Sequence, residues 1–315
     1  METMKWKVMV SAPYMRLEID KFRNWFTEHS IAIDLPDVKE RMEESDLLPI
    51  IGQYDGVVCG DDRFTENVYR AAKRLKVISK WGTGIDSINK EIAEKYGVTV
   101  CNTPDAFSHP VSDTVLGFIL TFSRTIISSD RLMKNGEWEK IQGKSLSEQT
   151  LGIIGCGNVG SRVAKKANAF GMRILACDIK EIPKTILEQY DIVQVDLDTL
   201  LREADFISTN CDLNDSSYHI LSDEEFEKMK NSAIVINTAR GSVVDERALI
   251  KALKEKEIAG CGLDVFEYEP LPVDSPLRSM DNVILSSHNS NSSPKYWEYV
   301  HKNTLNNLYK VLSGK

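Results

Sequence analysis

The sequence predicts an α/β protein made of two doubly wound parallel-sheet domains, and three observations carry that expectation. Short apolar, strand-like runs alternate with helical patterns along most of the chain. A Gly-x-Gly-x-x-Gly turn joins one such run to a helix, and Asp178 closes the next run. In the first half, strand-like runs fall at residues 7–11, 31–35, 56–59, 77–79 and 98–101. Helical patterns separate them, notably 17–29, where Ile19, Phe22 and Phe26 recur at three- to four-residue spacing. Residues 104 to about 144 read as continuously helical, with Val115, Leu116, Ile119, Leu120 and Phe122 on the apolar positions. The alternation then resumes, with strands expected at 151–155, 173–178, 192–195, 206–209, 233–238, 262–265 and 283–285. Ser222 followed by Glu225 reads as a capping box opening a helix to Met229, and Asp245 as the cap of a helix through Ala248, Leu249 and Leu253. Pro270, Pro272 and Pro276 mark a loop, and 294–312 reads as one closing helix.

The run Leu151-Gly152-Ile153-Ile154-Gly155-Cys156-Gly157-Asn158-Val159-Gly160 is the most specific local signal for a ligand. Gly155 permits the tight turn, Gly157 lets backbone approach a pyrophosphate, and Gly160 lets helix and strand pack closely. The helix opening at Asn158 and Val159 offers unpaired N–H groups and a partial positive charge to phosphates. Asp178 is placed to accept hydrogen bonds from a ribose diol and to repel a 2′-phosphate, so NAD is expected over NADP, with nearby Lys180 working against that preference. Glycine-rich turns also arise for packing alone, but here strand, glycines, helix, second strand and acid arrive in order.

At 315 residues the chain is long enough for two domains, and its 42% hydrophobic and 27% charged content is that of an ordinary soluble protein. A net charge of −8 argues against a nucleic-acid surface, and an anionic substrate would need a locally positive pocket. Cys59, Cys101, Cys156, Cys177, Cys211 and Cys261 form no C-x-x-C pair and sit mostly in or beside apolar runs. They read as free thiols of a reducing compartment, with neither metal site nor disulfide framework. No leader-like N-terminal segment and no membrane-length apolar run is found, so a cytoplasmic protein is expected.

Together the motifs resemble the D-isomer-specific 2-hydroxyacid dehydrogenase family, which includes phosphoglycerate, glycerate and formate dehydrogenases. The resemblance spans nearly the whole chain. It is densest at Trp81-Gly82-Thr83-Gly84-Ile85-Asp86-Ser87-Ile88, Val100-Cys101-Asn102-Thr103-Pro104 and the glycine motif. It is equally dense at Ile236-Asn237-Thr238-Ala239-Arg240-Gly241-Ser242-Val243-Val244-Asp245 and Gly262-Leu263-Asp264-Val265-Phe266-Glu267-Tyr268-Glu269-Pro270. The family implies a Rossmann NAD-binding domain over residues 103–286 and a discontinuous, flavodoxin-like substrate domain from 1–102 and 287–315, with the reaction in a cleft between them. It also implies a homodimer joined through the helical segment after Pro104, and a small 2-hydroxy or 2-keto acid as substrate.

Arg240, Glu269 and His288 fall on the family's catalytic positions. Their chemistry suits the reaction. A guanidinium binds a carboxylate through two parallel hydrogen bonds and can polarise the adjacent carbonyl. An imidazole takes the hydroxyl proton in oxidation and returns it in reduction. Glu269, bonded to that imidazole, would fix its tautomer and stabilise its protonated form. Taken singly, an Arg at a strand end is often a surface ion-pair partner and a Glu before Pro is usually solvated. Their joint occurrence inside family-like blocks is what lifts them. The remaining histidines, His29, His109, His219 and His301, are expected to be structural or exposed. By the same resemblance Thr83 and Gly84 would offer backbone N–H groups to the substrate carboxylate. Ala239 would border the cofactor, and Asp264 would approach the nicotinamide carboxamide. Asn102 would line the cleft.

The chain departs from the family pattern at four places. The loop Ser286-Ser287-His288-Asn289-Ser290-Asn291-Ser292-Ser293 lacks the usual Pro before the histidine and the usual aliphatic residue and glycines after it. That polar loop would either favour a more polar substrate or hold His288 less firmly. Asn210-Cys211-Asp212 stands where the family usually shows His-x-Pro, Asp113 where it commonly has Glu, and Trp81 puts a bulky ring beside the carboxylate-binding turn. Trp297 begins the last helix not far past His288, and core burial is the expected role of both tryptophans. Lys80, Arg63 and Arg124 are candidate contacts for a substrate phosphate, against the plainer reading of solvated side chains. An NAD-dependent 2-hydroxyacid dehydrogenase is therefore the leading expectation. An NADP-preferring glyoxylate or hydroxypyruvate reductase, and an NAD(H)-sensing corepressor-like binding protein without turnover, are the alternatives.

Overall fold

The computed structural model describes residues 4–314, and the chain divides into two compact units. Unit 1 comprises residues up to Phe107 together with those from Ser293, and unit 2 runs from Ser108 to Ser292. His288 therefore shares unit 2 with Arg240 and Glu269.

Unit 1 holds a five-stranded sheet of β1 (Trp6–Val10), β2 (Ile31–Asp34), β3 (Gly56–Cys59), β4 (Val77–Lys80) and β5 (Thr99–Cys101). The order is β2-β1-β3-β4-β5 and every pairing is parallel. β3 and β4 are buried at every position, as a strand covered on both faces requires. One face packs on Met9, Leu47, Val57, Val68, Tyr69 and Ile78, and the closing helix, Pro294–Ser313, packs against β3, β4 and β5. The expected helix over 17–29 is instead three short pieces, Pro13–Leu17, a 3-10 turn Ile19–Phe22, and Arg23–Glu28. Pro13, with its fixed φ, starts the first piece early, and the breaks let Met15, Ile19 and Phe26 all point inward.

Unit 2 holds seven parallel strands: β6 (Thr150–Ile154), β7 (Arg173–Cys177), β8 (Ile192–Gln194), β9 (Phe206–Thr209), β10 (Ile234–Asn237), β11 (Gly260–Leu263) and β12 (Val283–Leu285). Their order, β12-β11-β10-β9-β6-β7-β8, reverses direction between β6 and β9, the switch point where open α/β sheets place their ligands. The helix Asn158–Ala169 follows β6 and buries Gly160, Val163, Ala164 and Ala167. The stretch expected to be helical from 104 to 144 is broken. Helix Ser108–Ser123 ends before Thr125, which adopts φ +53, and Ile126–Lys134 continues at a 57° bend. Residues 137–144 carry no helix and are largely exposed. Both caps expected from sequence form. Ser222 and Glu225 complete a capping box, and Asp245 accepts from the Ala248 N–H at 3.0 Å. Among the described residues no single helix is long and apolar enough to cross a membrane.

Candidate active site

The glycine-rich turn follows β6. Gly155 has φ +86, and a Cβ there would lie 2.7 Å from the Cys211 backbone nitrogen. A Cβ on Gly160 would sit 2.1 Å from the Gly155 carbonyl oxygen, so only glycine brings the helix this close to the strand. A Cβ on Gly157 would meet nothing within 4 Å, which leaves its backbone facing open space beside the first turn of the 12-residue helix. That is the cradle a pyrophosphate needs, and the residues fit a dinucleotide. Asn158 and Val159 form the opening of that helix. Asp178 lies just past β7. Its carboxylate accepts from the Cys156 N–H at 2.8 Å and the Lys180 N–H at 2.9 Å, so the acid fixes the turn while remaining partly exposed. Burial pushes the Cys156 and Cys211 thiols up to about 11, so both flank the turn as neutral groups and add no negative charge beside it.

Arg240 is carried by the loop after β10. Asn237, almost fully buried, ties that loop from both sides: its amide nitrogen donates to the Arg240 carbonyl at 2.9 Å and its amide oxygen accepts from the Ala239 N–H at 3.0 Å. The Thr209 hydroxyl holds the same amide oxygen at 2.8 Å. The next residue must be glycine, because a Cβ on Gly241 would be 1.9 Å from the Phe266 carbonyl carbon. This contact seats the Arg240 loop directly on the loop that carries Glu269. The Arg240 guanidinium donates to the Ala239 carbonyl at 2.9 Å.

His288 and Glu269 are joined. Nδ1 of His288 lies 2.9 Å from Oε2 of Glu269, with both side chains about a quarter exposed. The other carboxylate oxygen of Glu269 accepts from the Phe266 N–H at 3.0 Å, which fixes the acid's own rotamer. The pairing commits Nδ1 to Glu269. His288 adopts φ +51, an uncommon conformation for a residue with a β-carbon.

Three features were not legible in the sequence, two in unit 2 and one in unit 1. His219, expected to be structural or exposed, bonds through Nε2 to Glu267 at 2.6 Å, and Glu267 in turn accepts from the Glu246 N–H at 3.2 Å. These bonds clip together the segments flanking Arg240 and Glu269. Asp264 is fully buried, and its carboxylate accepts from the Ser286 hydroxyl and the Asn289 and Ser290 N–H groups. The third is Lys80, which is buried rather than solvated and is paired with Asp61 at 3.1 Å. Of the departures, Asn210 donates to the Ser208 carbonyl at 3.0 Å, and Asp113 accepts from Lys166.

In unit 1, Thr83 and Gly84 lie in the turn after β4. The Thr83 hydroxyl donates to the Thr103 carbonyl at 2.9 Å, and the Asn102 amide donates to the Thr83 carbonyl at 2.6 Å. These bonds involve neither the Thr83 nor the Gly84 N–H. Trp81 is buried, as expected, with its indole N–H on Nδ1 of His301 at 2.9 Å, whereas Trp297 is only partly buried.

Comparison with known proteins agrees with this architecture. The sequence model of the family described as "D-isomer specific 2-hydroxyacid dehydrogenase, NAD binding domain" matches residues 116–290. A hydroxypyruvate reductase of Thermotoga maritima is 39% identical over 285 residues, covering 89% of this chain and 92% of the relative. A glyoxylate reductase of Thermofilum pendens is 37% identical over 279 residues, covering 86% and 82%. The crystal structure of D-lactate dehydrogenase from Aquifex aeolicus, complexed with NAD and lactic acid, superposes with a TM-score of 0.86 at 26% identity, covering 98% and 96%. With a dinucleotide-fitting turn and the family's sequence blocks in one fold, the chain belongs to the D-isomer-specific 2-hydroxyacid dehydrogenase family and is an NAD-dependent oxidoreductase.

Proposed function

We propose that the protein interconverts a small, unphosphorylated 2-keto acid and the corresponding D-2-hydroxy acid, with Arg240, His288 and Glu269 as its working groups. The observation that carries this reading is the 2.9 Å His288–Glu269 pair, held in the same unit as the glycine-rich turn and beside the loop of Arg240. Gly155, Gly157, Asn158, Val159 and Gly160 would hold the pyrophosphate, Asp178 the adenosine ribose, and Ala239 and Asp264 would border the nicotinamide. Bound NADH supplies the hydride that reduces the substrate's C2 carbonyl. Arg240 grips the substrate carboxylate and polarises that carbonyl, lowering the cost of the charge that develops on its oxygen. Nε2 of His288 gives its proton to the same oxygen, and the carboxylate of Glu269 stabilises the imidazolium beforehand. In the reverse direction Nε2 takes the hydroxyl proton. The backbone N–H groups of Thr83 and Gly84 are assigned to the substrate carboxylate by family resemblance.

Two of the three basic candidates support the phosphate-free reading. Lys80 is committed to Asp61, and Arg124 donates to the Lys144 carbonyl at 3.2 Å. A homodimer is supported by the apolar side chains left in the open after Ser123, where Ile126 and Ile127 are each 51% exposed and Trp138 is 84% exposed. Six free cysteines support a reducing cytoplasm. Steady-state NADH oxidation with glyoxylate, hydroxypyruvate, pyruvate and phosphohydroxypyruvate tests the reading. Turnover of at least one unphosphorylated acid with little on the phosphorylated one is expected. Tight NADH binding without turnover on any of them would overturn it.

A further inference from the structure

We propose that His219 is a positioning residue for Arg240, an imidazole strut that fixes the guanidinium's loop against the loop of Glu269. The inference rests on the assignment of Arg240 to the substrate carboxylate and concerns what holds its loop in place. Three segments of unit 2 meet at this residue. The His219 N–H donates to the carbonyl of Ser242, just past Arg240, at 2.9 Å. Nε2 of the same residue lies 2.6 Å from Oε1 of Glu267, just before Glu269. A carboxylate only accepts, so Nε2 carries the hydrogen and the bond is charge-assisted. On the other side of the ring Nδ1 lies 4.0 Å from Oδ2 of Asp245. Tyr218 stacks on the ring's face, with centroids 4.0 Å apart. The imidazole is thus held between two carboxylates and against an aromatic face.

The segment that carries the ring is itself stitched to the Arg240 loop. The Leu221 N–H donates to the Val243 carbonyl at 3.4 Å and the Asp245 N–H to the Leu221 carbonyl at 2.9 Å, so residues 219–221 run beside 242–245. His219 adopts φ +51, a region that residues with a β-carbon keep only when their surroundings enforce it. Glu267 is braced in turn. Its Oε1 also accepts from the Glu246 N–H at 3.2 Å, and its own N–H donates to Glu246 Oε2 at 3.3 Å. The Arg240 and Glu269 loops meet at Gly241, where backbone lies on the Phe266 carbonyl with no side chain between them. Such a contact sets how close the loops come but does little to stop one sliding along the other. His219 bonds to both loops and resists that slide. Asn237 holds the Arg240 loop at its start, and His219 holds it beyond Arg240. Without the ring, Arg240 keeps its anchor, but its guanidinium drifts relative to the Glu269–His288 pair and grips the substrate less well.

The test compares His219→Leu, His219→Gln and Glu267→Gln, each assayed for NADH affinity by fluorescence titration and for kcat and KM. The acid is whichever of glyoxylate, hydroxypyruvate and pyruvate the wild type turns over fastest. Leucine fills much of the ring's space without a donor, whereas glutamine places an N–H2 group near the position of Nε2. A misplacement of about 1 Å at a reacting group costs about 100-fold. A partial shift in His219→Leu should therefore raise the acid's KM and lower kcat, together about 10- to 30-fold in kcat/KM, with NADH affinity changed less than about 2-fold. His219→Gln should recover to within about 3-fold of wild type. Glu267→Gln removes the charge but keeps the shape, guards against a folding failure of the leucine variant, and should lose about 3-fold. The double variant should lose no more than His219→Leu alone, since both changes break one bond. Wild-type kcat/KM in His219→Leu, or in Glu267→Gln should the leucine variant not fold, would overturn the proposal. So would losses that simply add in the double variant, or a loss that glutamine does not restore, which would make the ring a space filler. Arg240→Ala in the same assay separates the two levels. If that variant turns over like wild type the assignment of Arg240 falls, whereas an impaired Arg240→Ala beside an unaffected His219→Leu removes only the strut.

Discussion

The loop that carries Arg240 is anchored independently by Asn237, so truncating the guanidinium should leave the fold intact. Arg240→Ala is expected to lower kcat/KM about 10²- to 10³-fold, the usual loss on removing one donor aimed at a developing oxyanion, with NADH affinity unchanged. Wild-type turnover in that variant would take Arg240 out of the chemistry. Asp178 makes a different prediction. Asp178→Ala removes the charge that opposes a 2′-phosphate, so the ratio of kcat/KM for NADH over NADPH should narrow, and an unchanged ratio would deny Asp178 the ribose. The sequence pointed to Arg240 and Glu269 through contiguous family-like blocks, and to His288 only by its position in a loop that departs from the family pattern; the structure pairs His288 with Glu269. The bonds that tie residues 286–290 to Asp264 were not legible, since they depend on contacts more than 20 positions away that periodicity and composition do not encode.

Elements differ in how openly the sequence declares them. The helices opened by Ser222 and Asp245 were readable, because Ser222, Glu225 and Asp245 announce their bonds locally. The break at Thr125 was not, because apolar spacing continues through it and a single left-handed residue leaves no periodic trace. The loop–loop contact beneath Arg240 gives the sharpest test at this scale. Gly241→Ala drives a methyl group into the Phe266 carbonyl, so the Arg240 and Glu269 loops must separate. Loss of most activity with a fall in melting temperature is expected. An active variant of normal stability would show that the two loops need not touch.

At the scale of the molecule, the order of elements was plain in the sequence because fully buried parallel strands read as unbroken apolar runs. What it concealed were the interior polar groups, and one of them makes stability depend on pH. Burial pushes His301 down to about 4 from an ordinary value of 6.5, and its Nδ1 must stay unprotonated to accept the Trp81 indole N–H. The unfolded chain binds that proton more readily, so the contribution is complete above about pH 6.5 and is lost as pH falls toward 4. Its size is on the order of 1–3 kcal/mol. His301→Gln keeps an acceptor for Trp81 and should flatten this part of a melting-temperature series between pH 4 and 7. An identical slope in wild type and variant would rule it out. The most direct test of the whole account is NADH oxidation with an unphosphorylated 2-keto acid by wild type and His288→Asn, with NADH binding measured alongside. The account predicts a loss of about 10²- to 10⁴-fold in turnover at unchanged NADH affinity; equal turnover by the two proteins would contradict it.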